Sequence, residues 1–313
     1  MKKKDYSINS AIGMAYSWCS MLLLTFVCLF ILATVMYFGL GKISLQFLIT
    51  EPSASAVDLD GSGILTPFIG TILLTVLGIL AALPFSLATA IYICHYSKKG
   101  LLSSAIETGI DILAGVPTIV IALFSLTIFV LPQFSFLSSR IETDNGFSGM
   151  AYGRSFLVAA ITMSIMVLPF VIKAMSESIK SVPAEYIDGS YALGAGKWQT
   201  VVNIVLHCAR PGLITGTILG MGRIVGDTAI VWLTLGGTLR MTGLQPWYAP
   251  ENWASTLRNT GSTLTSYIYY TSPAGEGNNF ETAFGASFVL ICIILLLNIA
   301  TAVLGKIGGA SHG

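Results

Sequence analysis

The chain has 313 residues, of which 54% are hydrophobic and only 10% charged, with mean hydropathy +0.79. That is more apolar surface than a soluble core of this length can hide, so the composition excludes an ordinary globular domain and points to a polytopic membrane protein. The formal net charge is +1 and no basic run follows the first four residues, which excludes nucleic acid as a partner.

Apolar runs long enough to cross about 30 Å of hydrocarbon as helix fall at roughly residues 15–40, 65–94, 107–131, 155–175, 211–236 and 282–305. The predicted fold is therefore an all-α membrane protein of six spans. Lys2, Lys3 and Lys4 precede the first run, but that run is close to twice the 7–15 residues, roughly, of a cleavable signal core, and it reads as an uncleaved anchor. With the N-terminus cytoplasmic, the inner segments hold Lys2, Lys3, Lys4, Lys98, Lys99, Lys173, Lys180, Lys197, Arg210 and Lys306. The outer ones hold Lys42, Arg140, Arg154, Arg240 and Arg258. This bias predicts a multi-pass membrane protein with both termini inside. Cys19, Cys28, Cys94, Cys208 and Cys292 fall in spans or on the inner side, so no disulfide is expected.

The chain divides into an N-terminal span and first external loop (1–64), a core (65–236), an external aromatic loop (237–281) and a last span with its tail (282–313). The outer loop carries Trp247, Tyr248, Trp253, Tyr267, Tyr269 and Tyr270, which suit either an interfacial belt or a docking surface for an external partner. Inside, a polar loop at 176–210 is too polar to span. Pro183 and Ala184 can open a helix through "AEYIDGSYAL", "GAG" at 194–196 stops it, and "KWQTVVNIVLHCA" forms a second helix until Pro211 opens the next span. No internal repeat of a duplicated carrier is visible, and six spans are half of many such folds.

The fifth span carries Arg223 in the middle of an apolar run, with Asp227 four residues on. A charge at mid-bilayer costs roughly 2.5–3.5 kcal/mol on insertion scales. On a helical wheel Gly212, Gly216, Gly220, Arg223, Asp227 and Thr234 fall within a stripe about 80° wide. The small residues Gly212, Gly216 and Gly220 let another helix approach closely. Arg223 and Asp227 either neutralise one another for helix association or line a water-filled path. In the second case a guanidinium beside a carboxylate acceptor suits an oxyanion that keeps a proton, such as phosphate, rather than sulfate.

The inner loop resembles the permease motif of binding-protein-dependent ABC importers, E-A-A, three residues, Gly, nine residues, Ile-x-Leu-Pro. Asp188, Gly189 and Ser190 hold the first places, Gly194 the Gly, and Ile204, Val205, Leu206 and His207 the end, so the spacing is kept while the acid is shortened and His replaces Pro. "GTILLTVLGILAALPFSLATAIYICHY", "DILAGVPTIVIALF", "LPFVIKAMSESIKSVPAEY", "YALGAGKWQTVVNIVL" and "PGLITGTILGMGRIVGDTA" resemble phosphate importer permeases over about 65–236, and "NWAS" at 252–255 is similar to the PstA-like subunit. The resemblance implies a type I importer permease that carries phosphate by alternating access and has no catalytic residue, cofactor or metal of its own. Its partners would be a PstC-like second permease, two copies of a PstB-like cytoplasmic ATPase that binds ATP and Mg, and a PstS-like extracytoplasmic phosphate-binding protein. It also implies a coupling helix seated on the ATPase, with Glu185, Asp188, Gly189, Ser190, Gly194, Gly196 and Trp198 at or near that contact, and a substrate path past Arg223, Asp227, Lys173 and Thr234. Lys173 has a plainer reading as an inner-side anchor. Other readings on the same scaffold are the PstC-like role or a permease for phosphonate, molybdate or sulfate. A self-sufficient secondary transporter has no need of the long inner loop.

Other signals are weaker. Gly189, Gly194 and Lys197 lack the spacing of a phosphate-cradling loop, and Trp198 stands where Ser or Thr is required. His95, His207 and His312 have no further ligands at metal spacing. Glu107 and Asp111 read as helix N-terminal acids or as gate residues. Pro84, Pro117 and Pro169 are candidate kinks.

Overall fold

The computed structural model describes residues 8–53, 62–97, 100–139 and 152–309; Lys2, Lys3, Lys4, Lys98, Lys99, Arg140 and His312 lie outside the described residues. Helices and turns carry the described chain. They are α1 (Ile8–Leu40), α2 (Leu45–Ile49), α3 (Leu65–Ile91), α4 (Leu101–Gly115), α5 (Thr118–Phe129), α6 (Phe156–Lys180), α7 (Ala184–Ala192), α8 (Lys197–Thr200), α9 (Leu206–Gly226), α10 (Trp253–Arg258), α11 (Leu264–Thr271) and α12 (Phe280–Gly309). Five helical segments are long and apolar enough to cross a membrane, and the pair α4 and α5 makes a sixth if counted as one bent span.

Two spans differ from their sequence-based outline, each for a backbone reason. The third is two helices that meet at 101° rather than one. Proline disfavours helical geometry in the residue before it, and Val116, before Pro117, is extended. The fifth span is unbroken from Lys197 through a wider turn at Val201–Val205 to Gly226, so Pro211 sits inside a helix and opens nothing. It also ends earlier than residue 236. Asp227 is extended, and the chain resumes as a short turn, Val231–Leu235, closed by Gly236 at φ 103°. Pro84 and Pro169 likewise lie within α3 and α6 without ending them.

The centre of the bundle is α6, packed between α3 and α9. Leu74, Ile79, Met163, Val167, Val171 and Ile224 are almost completely buried where these three helices meet. Only Phe170, Lys173, Glu177 and Lys180 of α6 are exposed, and their spacing of three and four puts them on one face. In contrast α1 packs chiefly on α12, through the Gly39 contact with Phe284 and Phe288, and most of its apolar side chains face outward.

The α9 glycines make a close seam with α6. A Cβ on Gly212 would collide with the Ser178 side chain; one on Gly216 would lie 3.0 Å from Ala174 Cβ, and one on Gly220 2.7 Å from Val171 Cγ2. Residue numbers rise along α9 as they fall along α6, so the two helices run antiparallel. The Ser178 hydroxyl also donates to the Ala209 carbonyl at 2.9 Å.

The aromatic segment at 237–281 splits. Tyr267 is 1% exposed and hydrogen-bonds to Ser62 Oγ at 2.8 Å, so it is core and not interfacial belt, whereas Tyr248 and Trp253 are largely exposed. Residues 260–267 are buried throughout, their polar groups tied down locally. Thr263 and Ser266 form a reciprocal cap on α11, and the Leu264 N–H donates to Thr71 Oγ1 at 2.8 Å.

Replacing Gly220 with Leu must push α9 off α6 and is expected to cost about 1–3 kcal/mol. Gly222→Leu, with open space beyond its Cα, is the control. Thermal unfolding of the purified protein in detergent checks this, and equal melting points for the two variants would refute the seam.

Candidate functional site

Near the C-terminal end of α9, along its seam with α6, Arg223 leaves the bundle and lies on α6. Its guanidinium carbon sits 3.6 Å from the centre of the Phe170 ring, and its Nε–H donates to Met166 Sδ at 3.0 Å. The ring face stabilises the cation without neutralising it. Of the five N–H donors of a guanidinium, only this one has a partner among the described residues. Arg223 is exposed, so the remaining donors are presented outward.

Asp227 does not pair with it. Ion pairs among the described residues are Lys42 with Glu281, Lys173 with Asp111 and Lys180 with Glu177. The wheel that aligned Arg223 with Asp227 and Thr234 presumes a helix that continues past Gly226, and the helix stops there. Asp227 instead caps the next turn, its Oδ1 accepting from the Ile230 N–H at 2.8 Å, while its carbonyl accepts from Thr265 Oγ1 at 3.1 Å. Thr234 is fully buried with its hydroxyl on the Ile230 carbonyl at 2.7 Å, which takes it off any open path in this conformation.

Three residues beyond Phe170 on the same face of α6, Lys173 Nζ meets Asp111 Oδ1 of α4 at 2.6 Å. The pair lies in a groove of about 400 Å³ that Glu107, Ser176, Glu177 and Lys180 also line. Met166 and Phe170 were not among the predicted site residues; Asp111 and Glu107, read as helix N-terminal acids or gate residues, lie within the body of α4 and not in its first turn. A wheel drawn on the fourth span exposes the first two, because Met166, Phe170, Lys173, Glu177 and Lys180 recur at helical spacing. Nothing local in the sequence pairs Asp111 with Lys173.

A separate feature stands at the α7–α8 end. Pro183 opens α7, and Gly194 at φ +83° reverses the chain before Lys197 starts α8. Glu185, Asp188, Gly189, Gly194, Gly196 and Trp198 are all exposed, and no side chain lies within 4 Å of a Cβ built on Gly189, Gly194 or Gly196. Ser190 faces inward, its hydroxyl 2.9 Å from Thr200 Oγ1, which clamps the two arms of the turn. Lys197 Nζ lies over the Tyr96 ring at 4.8 Å, so α8 is held to the end of the α3 span. Tyr186, Tyr191, Leu193 and Trp198 turn outward, and Tyr186 and Leu193 line a hollow of about 680 Å³. Among the described residues no three His, Cys, Asp or Glu side chains converge as metal ligands do.

An apolar bundle with one charged intramembrane face and a projecting helix–glycine–helix element defines a membrane permease subunit. The chain belongs to the family described as "Binding-protein-dependent transport system inner membrane component", whose pattern spans residues 75–307. It is 31% identical over 242 residues to "Phosphate transport system permease protein PstA 1" of Mycobacterium tuberculosis, covering 77% of this chain and 70% of that one. It is 29% identical to the PstC permease protein of Xylella fastidiosa, with 78% and 73% covered, and 27% identical to the probable ABC transporter permease protein YqgI of Bacillus subtilis, with 85% of each covered. Among solved structures it is similar to a chain of a bacterial alginate ABC transporter (TM-score 0.59, 16% identity, 96% and 98% covered). It is similar also to a chain of the MetNI methionine transporter (TM-score 0.55, 15% identity, 77% and 93% covered). The fold is that of a type I ABC importer permease, and the protein is a multi-pass membrane transport component.

The capping role of Asp227 has a direct check. Asp227→Asn keeps an acceptor for the Ile230 N–H, whereas Asp227→Ala removes it and is expected to cost about 1 kcal/mol. If the two variants melt together, the cap is not what holds the break.

Proposed function

We propose that this chain is the PstA-like permease subunit of an ATP-driven importer of inorganic phosphate. The observation that carries the reading is Arg223, an intramembrane guanidinium with no carboxylate partner and free donors on an exposed face. Such a group is costly facing hydrocarbon and useful facing an aqueous path that an oxyanion travels. Asp227 lies four residues away at the helix break, and Ile230 occupies one of its oxygens. The other can accept the O–H of a phosphate that keeps a proton, an interaction fully ionised sulfate cannot make. The relatives named as phosphate permeases support the same substrate.

Transport then proceeds by alternating access between this chain and a PstC-like second permease. A PstS-like binding protein delivers phosphate from outside, and two PstB-like ATPases bind ATP and Mg and supply hydrolysis. Both termini lie on the cytoplasmic side in this reading. The exposed face of α7 with Glu185 and Asp188, together with Trp198 of α8, is the ATPase contact. Motion there reaches the spans through the Ser190–Thr200 clamp and the Lys197–Tyr96 contact. The similarity to a PstC protein at nearly equal identity favours one second reading, the PstC-like half of the same importer.

Reconstitution with and without the ATPase and binding protein, scanning phosphate, phosphonate, sulfate and molybdate, tests the assignment. ATP-dependent uptake selective for phosphate is expected, and sulfate uptake equal to phosphate would overturn the substrate. Arg223→Gln is expected to lower phosphate uptake roughly 10- to 100-fold, the worth of about 1.5–3 kcal/mol of charge-assisted hydrogen bonding. Unchanged uptake would remove Arg223 from the path. Gly194→Pro, which cannot adopt the left-handed φ, is expected to assemble and hydrolyse ATP while failing to couple it to uptake; normal coupled transport would refute the lever role.

A further inference from the structure

We propose that the groove between the C-terminal end of α1 and the N-terminal end of α12 binds the headgroup of a zwitterionic phospholipid with a primary amine. Lys42 takes the phosphate, and Glu281 with its aromatic neighbours takes the ammonium. Such a lipid bridges the first span to the last, whichever anion the transporter carries.

The groove lies at the depth of the headgroups. The first span ends at Leu40 and the last begins at Phe280, and the contact of Lys42 with Glu281 puts these two ends side by side. Both spans therefore leave the hydrocarbon at the groove. Its volume of about 620 Å³ is within the range of about 300–1,000 Å³ typical of small-molecule sites. Aromatic rings concentrate at this depth of a membrane, and Tyr37, Phe38, Phe280 and Phe284 form the walls here.

Backbone contact sets those walls. A Cβ on Gly39 would lie 2.7 Å from Phe288 Cβ and 2.8 Å from the Phe284 carbonyl oxygen, so α1 and α12 touch beside the groove. Phe38 stacks on Phe284 with ring centres 5.2 Å apart, and Tyr37 stands at 86° to Phe38. Rings at a right angle make two sides of a box that attracts an alkylammonium to its π faces.

The charges select among headgroups. Lys42 is recessed, its side chain only 19% exposed, and a Cβ on Gly285 would lie 3.3 Å from Lys42 Cβ, which holds its stem against α12. An ammonium has three donors, and among the described residues Lys42 Nζ has one partner, Glu281 Oε2 at 3.3 Å. The Glu281 side chain is 76% exposed, and so open a pair contributes little by itself. It presents a cation and a carboxylate together to whatever enters. A headgroup that carries both phosphate and ammonium complements the two at once. An anionic headgroup satisfies Lys42 but is repelled by Glu281, and a trimethylammonium fits the rings but has no N–H to give the carboxylate.

A surface for an acyl chain continues from the groove. Phe30 and Phe26 stand seven and eleven residues before Tyr37, which puts all three on one face of α1, and all three are largely exposed. That stripe runs toward the middle of the span, the direction taken by a chain whose headgroup sits at Lys42.

Native mass spectrometry of the purified full-length protein, exchanged in detergent with equal amounts of phosphatidylethanolamine, phosphatidylcholine and phosphatidylglycerol of matched chains, tests this. Phosphatidylethanolamine is expected to be retained about fivefold over each of the others. Lys42→Gln is expected to lower its retention to the level of phosphatidylcholine. Glu281→Gln is expected to raise phosphatidylglycerol until the preference over it is lost. Equal retention of the three lipids by the unmodified protein refutes the site whatever the variants do, and unchanged selectivity in both variants refutes it as well. If a photo-reactive group at Tyr37 couples to a second permease chain in the assembled transporter and no lipid is retained there, the groove is a subunit interface and the lipid site is overturned.

Discussion

The close approach of α9 to α6 is the constraint on which the rest depends. Lipid supplies no hydrophobic force between helices, so their association rests on contact, and Gly212, Gly216 and Gly220 allow contact at backbone range against Ser178, Ala174 and Val171. That seam sets the height and rotation of α9, and Arg223 then falls on the Phe170 ring rather than into lipid. It also turns the other side of α6 outward, where Lys173, Glu177 and Lys180 stand in line. One packing decision places both the cation and the charged face it belongs to.

A second constraint governs the far end of α9. A helix that stops within the apolar layer leaves carbonyls and N–H groups that must find partners inside the protein. The break at Asp227 meets this with a carboxylate on the Ile230 N–H and with Thr265 on the Asp227 carbonyl. Thr265 is available because residues 260–267 fold back into the bundle, and they can do so because their own donors are met by the Thr263–Ser266 cap and by Thr71 of α3. The broken helix and the buried polar segment therefore depend on one another. Each without the other would bury unsatisfied backbone.

This interdependence explains which parts were legible in the sequence. Span number, the glycine seam and the helix–glycine–helix element follow from local signals: apolar length, small residues at every fourth place, and proline and glycine at fixed points. The breaks do not. Pro117 bends its span while Pro84, Pro169 and Pro211 sit inside helices, so a proline by itself does not locate a break, which depends on the tertiary surroundings. The wheel joining Arg223 to Asp227 fails for the same reason, since it presumes a continuity that a segment some forty residues later interrupts. Tyr267 reads as surface in a polar loop and becomes core because its hydroxyl finds Ser62, far away in the chain.

Two kinds of exposure coexist in the bundle, and the difference between them carries the functional argument. α1 shows Leu, Phe, Ile and Met nearly all round, which is the surface that hydrocarbon accepts at no cost. α6 is buried almost everywhere, yet on the face it leaves open it shows Lys173, Glu177 and Lys180, with Arg223 of α9 beside Phe170. Such a face cannot lie against acyl chains without the desolvation cost of several charges, and partial pairing with Asp111 and Glu177 does not remove that cost. It must meet water or another protein surface that encloses water. In the proposed reading, that face of α6 is the side this subunit turns toward the substrate path.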